Sequence, residues 1–133
     1  MSETVTLSTV LLEGTNGIYT FELIDENAEG IDSVQLETLT LTYHDWNTVT
    51  IINNRQYQDV KNAHDVTVTT VAGPPLVTTI EWLLTPADTI IVDPRLTREL
   101  HVALFRWTWD GGLRAGAHQM RFFVENLTFI PEI

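Results

Sequence analysis

Apolar and polar residues alternate with a period of two over most of this chain, which is the signature of strands with one buried face. Over residues 18–24, Tyr19, Phe21 and Leu23 fall on one face, with Thr20 and Glu22 on the other. Over 36–43, Leu39, Leu41 and Tyr43 alternate with Thr38, Thr40 and Thr42. Shorter strands are expected over 48–52, 66–71 and 78–84, the last with Ile80 and Trp82 on one face. The last third holds two runs rich in aromatic and branched residues, 99–109 and 118–127, around a loop with Gly111, Gly112 and Gly116. This reads as a terminal hairpin with a loop at 110–117. In its second run His118, Met120, Phe122 and Val124 alternate with Gln119, Arg121 and Glu125. Phe105, Phe122, Val124, Leu39 and Leu41 are the expected core.

The breaks between these runs are equally legible. Residues 13–17 form a Gly- and Asn-containing turn, and 25–30 form an acidic loop closed by Gly30. Gly73-Pro74-Pro75 stops one strand, and Asp93-Pro94 precedes the hairpin. Thr85 followed by Pro86 predicts a capped single helical turn. Over 53–63 the strand rhythm fails, and Tyr57, Val60 and Ala63 recur at helical spacing, predicting a short helix or helical turn. Short strands between Gly, Pro and Asn punctuation predict an all-β fold: an immunoglobulin-like antiparallel β-sandwich with one or two short helical turns. Residues 1–17 are expected to be an N-terminal arm or first strand, and 18–133 the immunoglobulin-like β domain.

Composition narrows the function. The chain of 133 residues is 44% hydrophobic, which suits one domain with a two-layer core and excludes bulk disorder. It has no cysteine, so disulfides, thiol catalysis and zinc–thiolate sites are excluded. Its net charge of −11, with Lys61 as the only lysine, opposes binding to nucleic acid or anionic membrane. The acidity serves solubility. No stretch approaches the ~20 apolar residues of a membrane-spanning helix. The first residues show no signal peptide, and synthesis in a cytosol is expected.

No catalytic or cofactor motif can be assembled, so no enzyme activity, cofactor or metal is expected. His44-Asp45 and His64-Asp65 place imidazoles beside carboxylates, but neighbours in a strand point to opposite faces. His118 falls on an apolar face and reads as a hydrogen-bonded core or interface histidine. Glu22, Asp25, Glu26, Glu29 and Asp32 crowd one turn without the spacing of a calcium loop, and read as a solvated loop. Trp46, Trp82, Trp107 and Trp109 suggest either core and subunit-interface packing or an aromatic platform for carbohydrate. Asn126-Leu-Thr128 matches a glycosylation sequon, read as accidental.

Several phrases resemble a family of small virion-associated proteins of tailed bacteriophages. They are Tyr19-Thr-Phe-Glu-Leu-Ile-Asp-Glu26, Leu36-Glu-Thr-Leu-Thr-Leu-Thr-Tyr43, Thr50-Ile-Ile-Asn-Asn-Arg55, Thr85-Pro-Ala-Asp88, Ala103-Leu-Phe-Arg-Trp-Thr-Trp-Asp-Gly-Gly112 and His118-Gln-Met-Arg-Phe-Phe-Val-Glu-Asn-Leu127. The resemblance spans about residues 18–128. It implies an immunoglobulin-like fold and a non-enzymatic structural role in a virion assembled in the host cytoplasm, with no catalytic residues. A capsid decoration (cement) protein is the expectation, with a neck or tail component, or a carbohydrate-binding module, as the alternatives. The partners expected are the major capsid protein or other virion subunits. Self-association is expected too, as a trimer if the protein sits on the capsid lattice. Candidate interface residues are Val5, Leu7, Val10, Leu11 and Leu12 of the N-terminal segment, with Trp107, Trp109 and Leu113 of the hairpin.

Overall fold

Strands form where branched and aromatic residues alternate with threonine, and they pair as two stacked sheets. The computed structural model describes residues 2–7, 10–63 and 65–129. In chain order the strands are β1 (Ser2–Thr6), β2 (Leu11–Leu12), β3 (Gly17–Glu22), β4 (Leu36–Asp45), β5 (Gln58–Asp59), β6 (Val66–Val71), β7 (Val77–Leu84), β8 (Arg98–Trp109) and β9 (Arg114–Glu125). One sheet runs β1-β9-β8-β4-β5, with β2 also on β9; the other runs β3-β7-β6. The second order matches strands B, E and D of an immunoglobulin domain, and β4, β8 and β9 match C, F and G. The fold is an all-β sandwich, as the alternation predicts.

The core lies between the sheets and is rich in aromatic rings. Leu39, Leu41 and Tyr43 of β4, Phe105 and Trp107 of β8, and Met120, Phe122 and Val124 of β9 are buried against Phe21, Ile80 and Trp82. All five residues expected in the core are there. Tyr43 meets Trp82 edge-on at 5.2 Å between centroids, and Trp82 meets Phe105 edge-on at 5.7 Å. His118 stacks on Phe21 at 4.1 Å and bonds the Tyr19 hydroxyl, the role expected of a core histidine.

Within the body all strand pairs are antiparallel, but β1 and β2 run parallel to β9, from Ser2 opposite Ala117 to Leu12 opposite Glu125. The chain then crosses to the other sheet through a turn where Gly14 has φ +70°. A side chain there would be strained. Within the N-terminal segment, Ser2–Thr6 and Leu11–Leu12 are strands laid on β9 of the same chain.

Three local expectations are corrected. Residues 53–63 hold no helix: Asn53, Asn54 and Tyr57 adopt positive φ, which ends helical winding, and the two-residue β5 follows. The backbone groups a helix would use internally are bonded to β4 instead, in Tyr43 N–H to Arg55 O, Ile52 N–H to Tyr43 O and Val60 N–H to Leu39 O. The strand expected over 48–52 is reduced to one bridge, His44 with Ile51, because Val49 also has positive φ. The hairpin loop is shorter than 110–117, since Arg114–Ala117 already belong to β9. The predicted turn after Thr85 is present as a 3-10 turn, Pro86–Asp88, with Thr85 and Asp88 capping each other. Two further 3-10 turns occupy Ser33–Gln35 and Leu127–Phe129.

Candidate functional site

The N-terminal strands give the first candidate surface. Beyond its backbone pairing, Leu7 N–H bonds Arg121 O and Glu13 N–H bonds Glu125 O. Leu7 and Leu11 pack partly on the core, Val5 and Val10 are half-buried, and Leu12 is exposed. Gly14 N–H bonds Thr89 O, and Leu127 N–H bonds the Glu13 carboxylate. These bonds bring exposed Leu12, Ile90 and Leu127 to the same end of the sandwich. Exposed Ile18 lies opposite exposed Leu83 on the outer face of the smaller sheet.

The hairpin residues divide. Leu113 at its tip is 86% exposed, whereas Trp107 and Trp109 are buried within the chain. Trp107 sits across from Gly116, where a Cβ would come within 2.7 Å of the indole, so only glycine admits the ring. The pair therefore presents no open platform. Trp46 is half exposed, with the Arg121 guanidinium 5.7 Å from its ring centre.

Three carboxylates of the acidic region have protein partners. Asp25 accepts the N–H groups of Asn27 and Glu29, Asp32 accepts that of Val34, and Glu26 pairs with Arg114. His44 reaches the Asp45 carbonyl, while the Asp45 side chain points inward, as alternation requires. His64 lies outside the described residues. Asn126 is buried, and its amide donates to the Pro94 and Leu96 carbonyls.

Two buried polar clusters escaped the sequence reading. In the first, Arg55 is 2% exposed, donates to both oxygens of Asp88 (2.7 and 3.1 Å) and to Gln58, pairs with Asp65, and lies 5.5 Å from the centre of the Trp82 ring. Asp88 also accepts from Asn53 and the Thr85 N–H. Burial alone would raise the Asp88 carboxyl, but these donors, Arg55 first, hold it below its ordinary range. Burial opposes the Arg55 charge, and the two carboxylates outweigh it and raise its pKa. The cluster ties the 53–57 turn to the 3-10 turn after β7.

In the second, Asp45, Glu99 and His101 are all buried, with one ligand-type atom from each lying within 4.8 Å of the others. Among the described residues this is the one such group of three. Asp45 ends β4 directly opposite His101 of β8, and Glu99 shares the inward face two residues earlier. His101 Nε2 is 3.0 Å from Glu99 Oε1, and its Nδ1 is 3.0 Å from the Tyr43 hydroxyl, which donates to Asp88 O at 2.6 Å. Glu99 accepts the N–H groups of Val92 and Asp93. Asp45 Oδ2 accepts from the Thr48 N–H and hydroxyl. Burial raises the Tyr43 phenol well above its usual pKa and lowers that of His101. The sequence carried one signal: Glu99 and His101 at the two-residue spacing that puts both on one face of a strand.

No helix among the described residues is long and apolar enough to cross a membrane. No known family model and no curated protein matches this chain.

Proposed function

We propose that this chain is a non-enzymatic structural protein of a tailed-bacteriophage virion, a capsid decoration protein that binds neighbouring head subunits from outside. The observation that carries the reading is the placement of β1 at the margin of the larger sheet. It is joined to the body through β9, and its other edge meets no strand among the described residues. An unpaired strand edge offers backbone donors and acceptors to a neighbouring subunit, a contact that tolerates many sequences. The exposed apolar residues Leu12, Ile90 and Leu127, near the far end of β9 from the Ser2–Ala117 pairing, supply further surface for a neighbour to cover. The resemblance of the phrases between residues 18 and 128 to small phage virion proteins points the same way. The charge of −11 keeps free copies soluble and repels packaged DNA.

The test is direct. Mass spectrometry of purified virions of the encoding phage should detect the protein at high copy number on the head. A chain lacking residues 2–12 should keep its strand spectrum by circular dichroism yet fail to join particles. Absence of the intact protein from virions would overturn the reading. Full incorporation of the shortened chain would remove the N-terminal strands from the interface.

A further inference from the structure

We propose that Asp45, Glu99 and His101 bind one divalent transition-metal ion, enclosed at the end of the sandwich where β4 meets β8. The argument starts from hydrogen positions. The Tyr43 hydroxyl has one proton, and its 2.6 Å approach to the Asp88 carbonyl oxygen requires that proton to lie between the two oxygens. His101 Nδ1, 3.0 Å from the same hydroxyl, must then be the donor. In the neutral ring this leaves the Nε2 lone pair facing Glu99 Oε1 at 3.0 Å. Two acceptors do not sit so close in a buried place unless a cation lies against both.

A shared proton would satisfy that pair alone. It would leave Asp45 Oδ1, buried and without a hydrogen-bond partner, still orphaned. A metal ion among the three side chains, whose ligand-type atoms lie within 4.8 Å of one another, satisfies all three residues together. It also balances charge, since two carboxylates and a neutral imidazole are matched by one divalent cation, whereas a proton leaves a buried negative charge. The 3.0 Å separation is one that two ligands, each about 2.0–2.2 Å from a shared ion, span readily.

The surroundings hold each ligand in place, as outer partners do in metal sites. Tyr43 fixes the imidazole tautomer, the Val92 and Asp93 N–H groups orient Glu99, and Thr48 holds Asp45 Oδ2, leaving Oδ1 without a partner. One imidazole with two carboxylates suits zinc or manganese better than calcium or magnesium, which prefer all-oxygen sets. Enclosure makes the site structural, clamping the last residue of β4 to the start of β8. This inference is independent of the virion reading.

The experiment uses the full chain, stripped with chelator and titrated with Zn²⁺ in excess Mg²⁺, which occupies the exposed carboxylates. Saturable stoichiometric binding and a rise in Tm of several degrees are expected. Tyr43→Phe retains all three ligands and should weaken Zn²⁺ by roughly 10–100-fold, as loss of an outer partner does. Asp45→Asn, which replaces an anionic ligand by a neutral amide, should weaken it by at least about as much. Wild-type protein loaded with Co²⁺ needs no variant: the His101 ring resonances should show paramagnetic shifts. The proposal is overturned if wild type binds no Zn²⁺ under Mg²⁺, if Asp45→Asn binds equally well, or if the His101 resonances do not respond to Co²⁺.

Discussion

Phe21 of β3 and Phe105 of β8 meet across the sandwich with ring centroids 5.0 Å apart and planes inclined at 54°. These two strands, B and F of the immunoglobulin arrangement, are the ones a disulfide joins in antibody domains. This chain has no cysteine, and a ring contact spans the gap. Phe105→Ala should therefore cost about 3–5 kcal/mol, at the large end of core truncations. Urea denaturation followed by far-ultraviolet circular dichroism measures it. A loss below about 1 kcal/mol would show that the contact does not hold the sheets together.

Arg55 and Asp88 should behave as a coupled pair. Truncating Arg55 leaves the buried Asp88 without its counter-charge and should destabilise by about 3–5 kcal/mol, whereas truncating Asp88 leaves Arg55 with the part-exposed Asp65 and should cost less. Replacing both, as Arg55→Met with Asp88→Leu, should cost much less than the sum of the single changes. A double-mutant cycle in urea measures the coupling, and additive losses would contradict it.

Asp88 also predicts acid sensitivity. Its carboxyl is held low in the folded state, so its contribution to stability is present above the unfolded carboxylate pKa and is lost as pH falls through the folded value. The stability gap between wild type and Asp88→Asn should be widest near neutrality and close on acidification. Urea midpoints recorded from neutral pH downward test this, and a gap that widened in acid would reverse the sign.

Gly116→Ala should displace the Trp107 indole, because the added Cβ would lie 2.7 Å from three of its atoms. The expected cost is about 1–3 kcal/mol, as for other overpacked sites. Near-ultraviolet circular dichroism should report the moved ring. An unchanged spectrum with unchanged stability would refute the contact.

The strands were legible wherever one face is buried: β4, β7 and β9 read directly from Leu39-x-Leu41-x-Tyr43, Ile80-x-Trp82 and Met120-x-Phe122-x-Val124. Failures came where distant partners decided local structure. Tyr57 and Val60 have helical spacing, yet β4 takes the backbone hydrogen bonds of their segment, leaving Val60 buried and Tyr57 exposed. Both buried clusters depend on pairings that no local pattern reveals. Asp45 becomes the neighbour of His101 only once the register of β4 on β8 is known, and Arg55 reaches Asp88 only when two turns meet. From sequence alone His101 is one more member of the 99–109 run. The parallel seating of β1 on β9 was equally hidden, since alternation reports which face is buried and not which strand lies alongside.

The buried amide of Asn126 governs how this protein can be made. Its sequon would be read during secretion by a eukaryotic cell, where sugar is added to a chain not yet folded. A glycan on that nitrogen would take the place of one of the hydrogen bonds to Pro94 and Leu96 and force a bulky polar group into the base of the β8–β9 hairpin. Secreted material would divide into an unmodified fraction that folds and a modified fraction that does not. Bacterial cytosol, or a Thr128→Ala chain in a secreting host, which removes the sequon and keeps the Asn126 amide, avoids that division.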